Sequence, residues 1–253
     1  MNPVRDTDII EKAREYLTRD WAITKSGRPA SRVSPELVFD HSARILETAR
    51  FLLKDSALTG LRIDEIILAA AAMFHDAGWV DLVRHAELEA GQIYSKPADT
   101  ELLARSGRVA GEILIKLLPL RMVEKTVEII ADLKNPNPSQ PEVKLIADAE
   151  NLEDFGLLGI VSQIRIAQAL GKSNQQVLDI WHRQQEYHYW EARIKTAFHL
   201  DLSKKIAAHR LEKMAGIYDL IELEMTLDDV QDLVPPIPSQ SPTANSTVSI
   251  QKK

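Results

Sequence analysis

Residues 66–79 read IILAAAAMFHDAGW. Ile66 to Phe74 form an unbroken run of nine apolar residues, with four alanines at its centre. Alanine and leucine are strong helix formers, and the run lacks the alternation of a half-buried strand. It predicts a helix from near Arg62 to near Asp76, apolar on nearly all sides and therefore buried. That helix ends on His75 and Asp76. An unpaired carboxylate in such a place costs several kcal/mol or more. A bound divalent cation removes the cost, because imidazole nitrogen and carboxylate oxygen both donate to it.

Working outward, the pattern stays helical. Asp8 to Tyr16 places Ile9, Ile10, Ala13, Tyr16 and Leu17 on one face. A loop is expected around Lys25 to Ser34. Ser34-Pro35-Glu36-Leu37 then reads as a helix start, with Ser34 as N-cap and Pro35 in the first turn. That helix is expected to run to Leu53. Val80 to Tyr94 carries no clear period. Helices are expected over Thr100–Leu118 and Arg121–Leu133, separated at Pro119, and from Pro141 to Phe155 after the Asn135-Pro136-Asn137-Pro138 turn. Leu157–Leu170, Ser173–Leu200 and Asp201 to about Leu227 complete the set. No internal repeat and no convincing strand pair is found. The fold class is all-α, an irregular multi-helix domain over 1–230. The Pro-, Ser- and Thr-rich tail, 231–253, is expected to be disordered.

Composition agrees. Hydrophobic residues make up 45% and charged residues 27%, as in an ordinary globular protein. Cysteine is absent, which excludes disulfides, thiolate metal sites and a cysteine nucleophile. Any metal must be held by His, Asp or Glu. The net charge of −6 argues against binding a nucleic-acid polymer through a basic surface. No stretch has the length of a membrane span, so no membrane partner and a cytoplasmic location are expected.

Two further segments carry chemistry. Asp40-His41-Ser42-Ala43-Arg44 lies early in a helix, and Asp148 follows the apolar stretch Leu145-Ile146-Ala147. Singly, each has an ordinary alternative. His41 can cap its own helix, His75-Asp76 can be a polar helix end, and Asp148 can pair with Lys144 on the same face. Arg44 can pair with Asp40. Glu150, Glu153 and Asp154 read as a solvated face, with Glu150 and Asn151 near enough to support Asp148. The aromatic stretch Trp181–Trp190 reads as an amphipathic helix, partly in the core and partly at a subunit contact, which a homodimer would supply. His182 and His188 are not at a ligand spacing.

Together, His41 in VFDHSARILETA, the doublet in ILAAAAMFHDAGW and Asp148 in KLIADAENLEDFG resemble the HD-domain phosphohydrolases. That family carries a His on one helix, a His-Asp doublet at the end of a later one and a distant Asp. The resemblance covers roughly residues 10 to 225. It implies an HD-domain fold with His41, His75, Asp76 and Asp148 holding one divalent metal ion, with Mn, Fe, Co, Ni, Zn or Mg all eligible. It implies hydrolysis of a phosphate ester or anhydride in a small, nucleotide-class substrate, with Asp76 orienting the attacking water. The subgroup that hydrolyses guanosine tetraphosphate has an acidic pair soon after the doublet, where this chain has only Asp81. Two-metal members carry extra histidines, where this chain has only His85. Asp81 is a candidate general acid or base, and Arg44, Arg84 and His85 are candidates for binding substrate phosphate. The alternative function is a catalytically silent metal- and ligand-binding module acting as a sensor. A third is a helical protein whose His and Asp are ordinary core groups.

Overall fold

The computed structural model describes residues 4–18, 33–94 and 97–233. Among these there are eleven α-helices and no strand. In chain order they are α1 (Asp6–Thr18), α2 (Leu37–Leu52), α3 (Glu65–Phe74), α4 (Ala77–Arg84), α5 (Thr100–Leu114) and α6 (Leu120–Asp132). α7 (Pro141–Glu153), α8 (Leu157–Ala169), α9 (Asn174–Glu186), α10 (Tyr189–Thr196) and α11 (Asp201–Thr226) follow. The all-α class is as expected from the sequence.

α3 is the hub. Every residue from Ile67 to Phe74 is buried, and α3 packs against α1, α2, α5, α6 and α7. Asp64 starts it, its side chain accepting from the N–H groups of Ile66 and Ile67. The segment Glu65–Arg84 is apolar enough by length and composition to cross a membrane, yet 83% of its most apolar 18-residue window is buried inside the protein. Its surface is already used by neighbouring helices.

Where the helices stop is as informative as where they run. α3 ends at Phe74, and α4 begins at Ala77, so His75 and Asp76 form a two-residue corner between them. α2 starts at Leu37 rather than at Pro35. Ser34 supports the turn before it, its hydroxyl accepting from the Glu36 N–H at 3.2 Å. The long pattern from Ser173 to Leu200 is two helices. His188 breaks it with a left-handed backbone, φ 50°. Trp181 and Trp190 on either side are both buried, Trp181 stacked on Tyr218 of α11 with ring centroids 4.3 Å apart. Tyr187 and Tyr189 face solvent. Residues 231–233, the start of the tail expected to be disordered, close a short 3-10 turn, Asp228–Leu233, while the rest of that tail, 234–253, lies outside the described residues, as does most of the loop before Ser34.

Gly78 lets α4 lie close on α5. A Cβ there would stand 2.7 Å from the Leu102 carbonyl oxygen and 2.9 Å from Ser106 Oγ, which accepts from the Gly78 N–H. The first clash is with backbone, which cannot rotate away. Gly78→Ala is therefore expected to destabilise the fold by about 1–3 kcal/mol in urea denaturation. An unchanged midpoint would show that the α4–α5 approach is not close.

Candidate metal centre

Four side chains from three parts of the chain converge beside the α3–α4 corner. They are His41 on α2, His75 and Asp76 at the corner, and Glu150 on α7. One potential ligand atom from each lies within 4.8 Å of all the others. His41 Nε2 is 2.9 Å from Glu150 Oε1 and 3.5 Å from Asp76 Oδ2. His75 Nε2 is 3.5 Å from Asp76 Oδ2 and 2.6 Å from Glu150 Oε1. The side chains of His75 and Asp76 are 2% and 4% exposed, but Glu150 is 35% exposed. The cluster is closed on the core side and open on the Glu150 side, where a ligand can enter.

The supporting contacts orient these groups. His75 Nδ1 donates to the Ala72 carbonyl at 2.7 Å. That bond directs the other ring nitrogen, Nε2, into the cluster. Nε2 is buried and completes no hydrogen bond of ordinary geometry, even to the near Glu150 oxygen. Asp76 occupies the N-cap position of α4, where an aspartate normally accepts from the first backbone N–H groups, yet its side chain makes no capping bond. Both observations, and a donor set of imidazoles and carboxylates, fit a divalent cation. On the far side of His41, Glu153 Oε2 lies 3.6 Å from Nδ1. Arg44 grips Glu153 in turn, at 2.9 Å through its NH2 group and 3.2 Å through Nε. His41 faces Glu150 as Arg44 faces Glu153, so α2 and α7 run side by side in the same direction here.

The sequence pointed to Asp148 as the fourth donor, and the structure places Glu150 there instead. On α7, two residues are about 200° of helical rotation. Asp148 therefore faces the opposite way, toward the start of α11. It is wholly buried and accepts from the backbone N–H groups of His199 at 2.8 Å and Leu200 at 2.9 Å. Burial pushes its carboxyl up, against the pull of those two donors. A second buried carboxylate, Asp55, accepts from the Leu202 N–H at 2.8 Å, so two aspartates hold the N-terminus of the long closing helix. Nor does Asp148 pair with Lys144.

The other candidates are also committed elsewhere. Asp81 is buried, and its Oδ2 bridges Arg105 at 3.1 Å and Arg108 at 2.9 Å on α5. Arg84 donates to the Tyr16 carbonyl and lies over the Tyr16 ring. His85 bonds the Asp81 carbonyl through Nδ1 and is otherwise in solvent. Arg44 holds Glu153 rather than Asp40. Glu150 and Glu153, expected on a solvated face, are the pair facing His41. Their i, i+3 spacing on α7 matches that of His41 and Arg44 on α2, and that match is the signal that could have found them.

The charges within the cluster compensate one another. Burial works to lower the His41 pKa, but the Glu150 carboxylate, with Glu153 and Asp76, overcomes it and raises it to about 10. His75 is raised against the same burial by Asp76 and Glu150. Burial acts to raise Glu150, but the two histidines hold it well below the usual carboxylate range. A cation entering the site must displace the histidine protons. Metal affinity is therefore expected to rise with pH, by up to about tenfold per unit for each proton displaced, and binding should release protons into a weakly buffered indicator solution. The metal-free protein changes in the opposite sense. The stability from raised histidine pKa values is fully present below the unfolded value of 6.5 and is lost as pH rises through about 10. Metal affinity that stays flat from pH 6 to 8 would exclude the histidines as ligands.

The fold and the cluster together define an all-α protein with a candidate centre of two histidines, an aspartate and a glutamate. No family model and no curated protein matches the chain. Among solved structures it is similar to YpgQ of Bacillus subtilis in complex with ADP. The TM-score is 0.51 at 16% identity, covering 89% of this chain and 100% of that one. It is also similar to the Lin1889 protein of Listeria innocua, with a TM-score of 0.51 at 18% identity, covering 88% and 99%. At such identities the likeness carries the fold alone.

Proposed function

We propose that this chain is a metal-dependent phosphohydrolase of the HD-domain type, acting on a phosphate ester or anhydride of a small, nucleotide-class substrate. The observation that carries the reading is the buried but one-sided cluster of His41, His75, Asp76 and Glu150. The fold likeness to a protein whose structure contains ADP supports a nucleotide as the substrate class.

The four residues would hold one divalent ion, with Mn, Fe, Co, Ni, Zn and Mg all compatible with the donors. When bound, such an ion supplies Lewis acidity, lowering the pKa of water and drawing charge from a phosphate oxygen. The rest is the work of the chain. His75 is locked by the Ala72 carbonyl, and His41 is steadied by Glu153 and Arg44. Asp76, free of any capping duty, is assigned to orient the attacking water and to take its proton. The water oxygen bonds to phosphorus, the bond to the leaving oxygen breaks, and that oxygen takes up a proton. The protein's charge of −6 is compatible with a small anionic substrate drawn by local groups rather than with a polyanion bound along a surface.

The test is elemental analysis of the purified chain, with phosphate release measured on a nucleotide panel before and after chelation. About one metal per chain is expected, with release lost on chelation and restored by Mn or Co. Metal with ligand binding but no release would favour a sensor module. No metal after Mn or Co is supplied would remove the site.

A further inference from the structure

If the site is a phosphohydrolase, something must neutralise the substrate's phosphate, and the three groups expected to do so are occupied. Arg44 is held by Glu153, Arg84 sits on Tyr16 and His85 lies against Asp81. Two other groups stand beside the cluster. The Tyr94 ring packs on His41 with centroids 5.1 Å apart and on Trp79 at 5.9 Å. Its hydroxyl lies beside the Asp76 carboxylate. The hydroxyl is thus a buried polar group with no hydrogen bond of ordinary geometry. A buried group in that state costs about 1–3 kcal/mol until a partner completes its bond. Tyr94 also has φ 61°, a left-handed backbone that is uncommon for a bulky residue and clusters at ligand clamps.

The second group is Arg165 on α8. Its guanidinium lies 6.0 Å from the Tyr94 ring centroid, it is exposed, and no carboxylate of the described residues forms an ion pair with it. Most other described arginines near the core are matched to a carboxylate or a carbonyl. Arg165 instead stands over the Tyr94 ring, which itself packs on His41.

We propose that Arg165 and the Tyr94 hydroxyl form the phosphate-binding side of this site. The guanidinium takes non-bridging phosphate oxygens, and the phenol donates to an oxygen that has reached the cluster. The geometry suits a terminal phosphate, because one donor is exposed and the other is buried beside Asp76. This assignment rests on the phosphohydrolase reading for its chemistry, but binding tests it independently of turnover.

The experiment is calorimetric binding of α,β-methylene-ADP to the metal-loaded full chain, with metal content measured in every sample. Arg165→Gln is expected to keep its metal and to bind about 10- to 100-fold more weakly. Arg165→Lys should recover part of that loss. Tyr94→Phe keeps the ring and should weaken binding by about 3- to 10-fold, again with metal unchanged. Wild-type affinity in Arg165→Gln would overturn the assignment and leave the hydrolase reading intact. Binding by the wild type, weakened in Arg165→Gln, without phosphate release from any nucleotide would uphold the assignment while the hydrolase reading falls. No binding of the analogue or of pyrophosphate by the metal-loaded wild type would overturn the assignment outright.

Discussion

Glu150→Gln is expected to fold and to lose its metal. The substitution keeps the volume of the side chain but removes the negative charge that both histidines face, 2.9 Å from His41 and 2.6 Å from His75. An amide oxygen is a poor substitute for an anionic donor to a divalent cation. Removing even an outer partner of a metal ligand costs about 10- to 100-fold in affinity, so loss of a donor should cost at least about 100-fold. Phosphate release at limiting metal should fall with it. The metal-free variant should survive, because without Glu150 the histidine pKa values fall and the rings become neutral rather than remaining as unpaired buried cations. Its stability should also depend less on pH between 6.5 and 10 than that of the parent. Full metal content in Glu150→Gln would remove Glu150 from the site.

Asp148→Ala is expected to do the reverse, keeping the cluster and weakening the fold. Its carboxylate accepts two backbone N–H groups in a place that water does not reach. Hydrogen bonds to a charged acceptor contribute about 1.5–3 kcal/mol each, and the truncation leaves both donors unsatisfied. The expected loss is about 3–5 kcal/mol, a large part of the stability of an ordinary domain. For a chain of this size that lowers the melting temperature by roughly 6–20 °C. Asp148→Asn retains one acceptor oxygen and should lose less. Metal content in the surviving folded fraction should stay near that of the parent. A variant that melts normally but holds no metal would return Asp148 to the role its sequence context first pointed to.

The pair Asp148 and Glu150 marks the boundary between what the chain reveals in one dimension and what it reveals in three. Residues 66–79 were enough to read a buried helix ending in two ionisable groups, because a run of apolar side chains admits few other folds. Ser34, Pro119, Gly156 and Ser173 punctuate the pattern closely enough that most helices lie within a few residues of where they were expected. The His41 element, the doublet and the segment around Asp148 are legible in order as the chemical part of the chain, although Glu150 and Glu153 within that segment read as a solvated face. Three features were not legible. Which α7 carboxylate faces the doublet depends on the rotation of α7 about its own axis. That is set by Val143, Ile146 and Ala149 packing inward, together with the fit of α2 and α11 on either flank. Asp81 and Arg84 carry the right chemistry but are taken by Arg105, Arg108 and Tyr16, partners 24, 27 and 68 residues away in the chain. Tyr94 lies in a segment without periodicity, and only its position against His41 gives it a role. The sequence by itself determined the helices and the inventory of ligand-bearing segments, because local hydrogen bonding and apolar periodicity act over a few residues. Only the tertiary structure decided which side chains meet, because a rotation of one helix by two residues exchanges a metal-facing carboxylate for one that caps a helix.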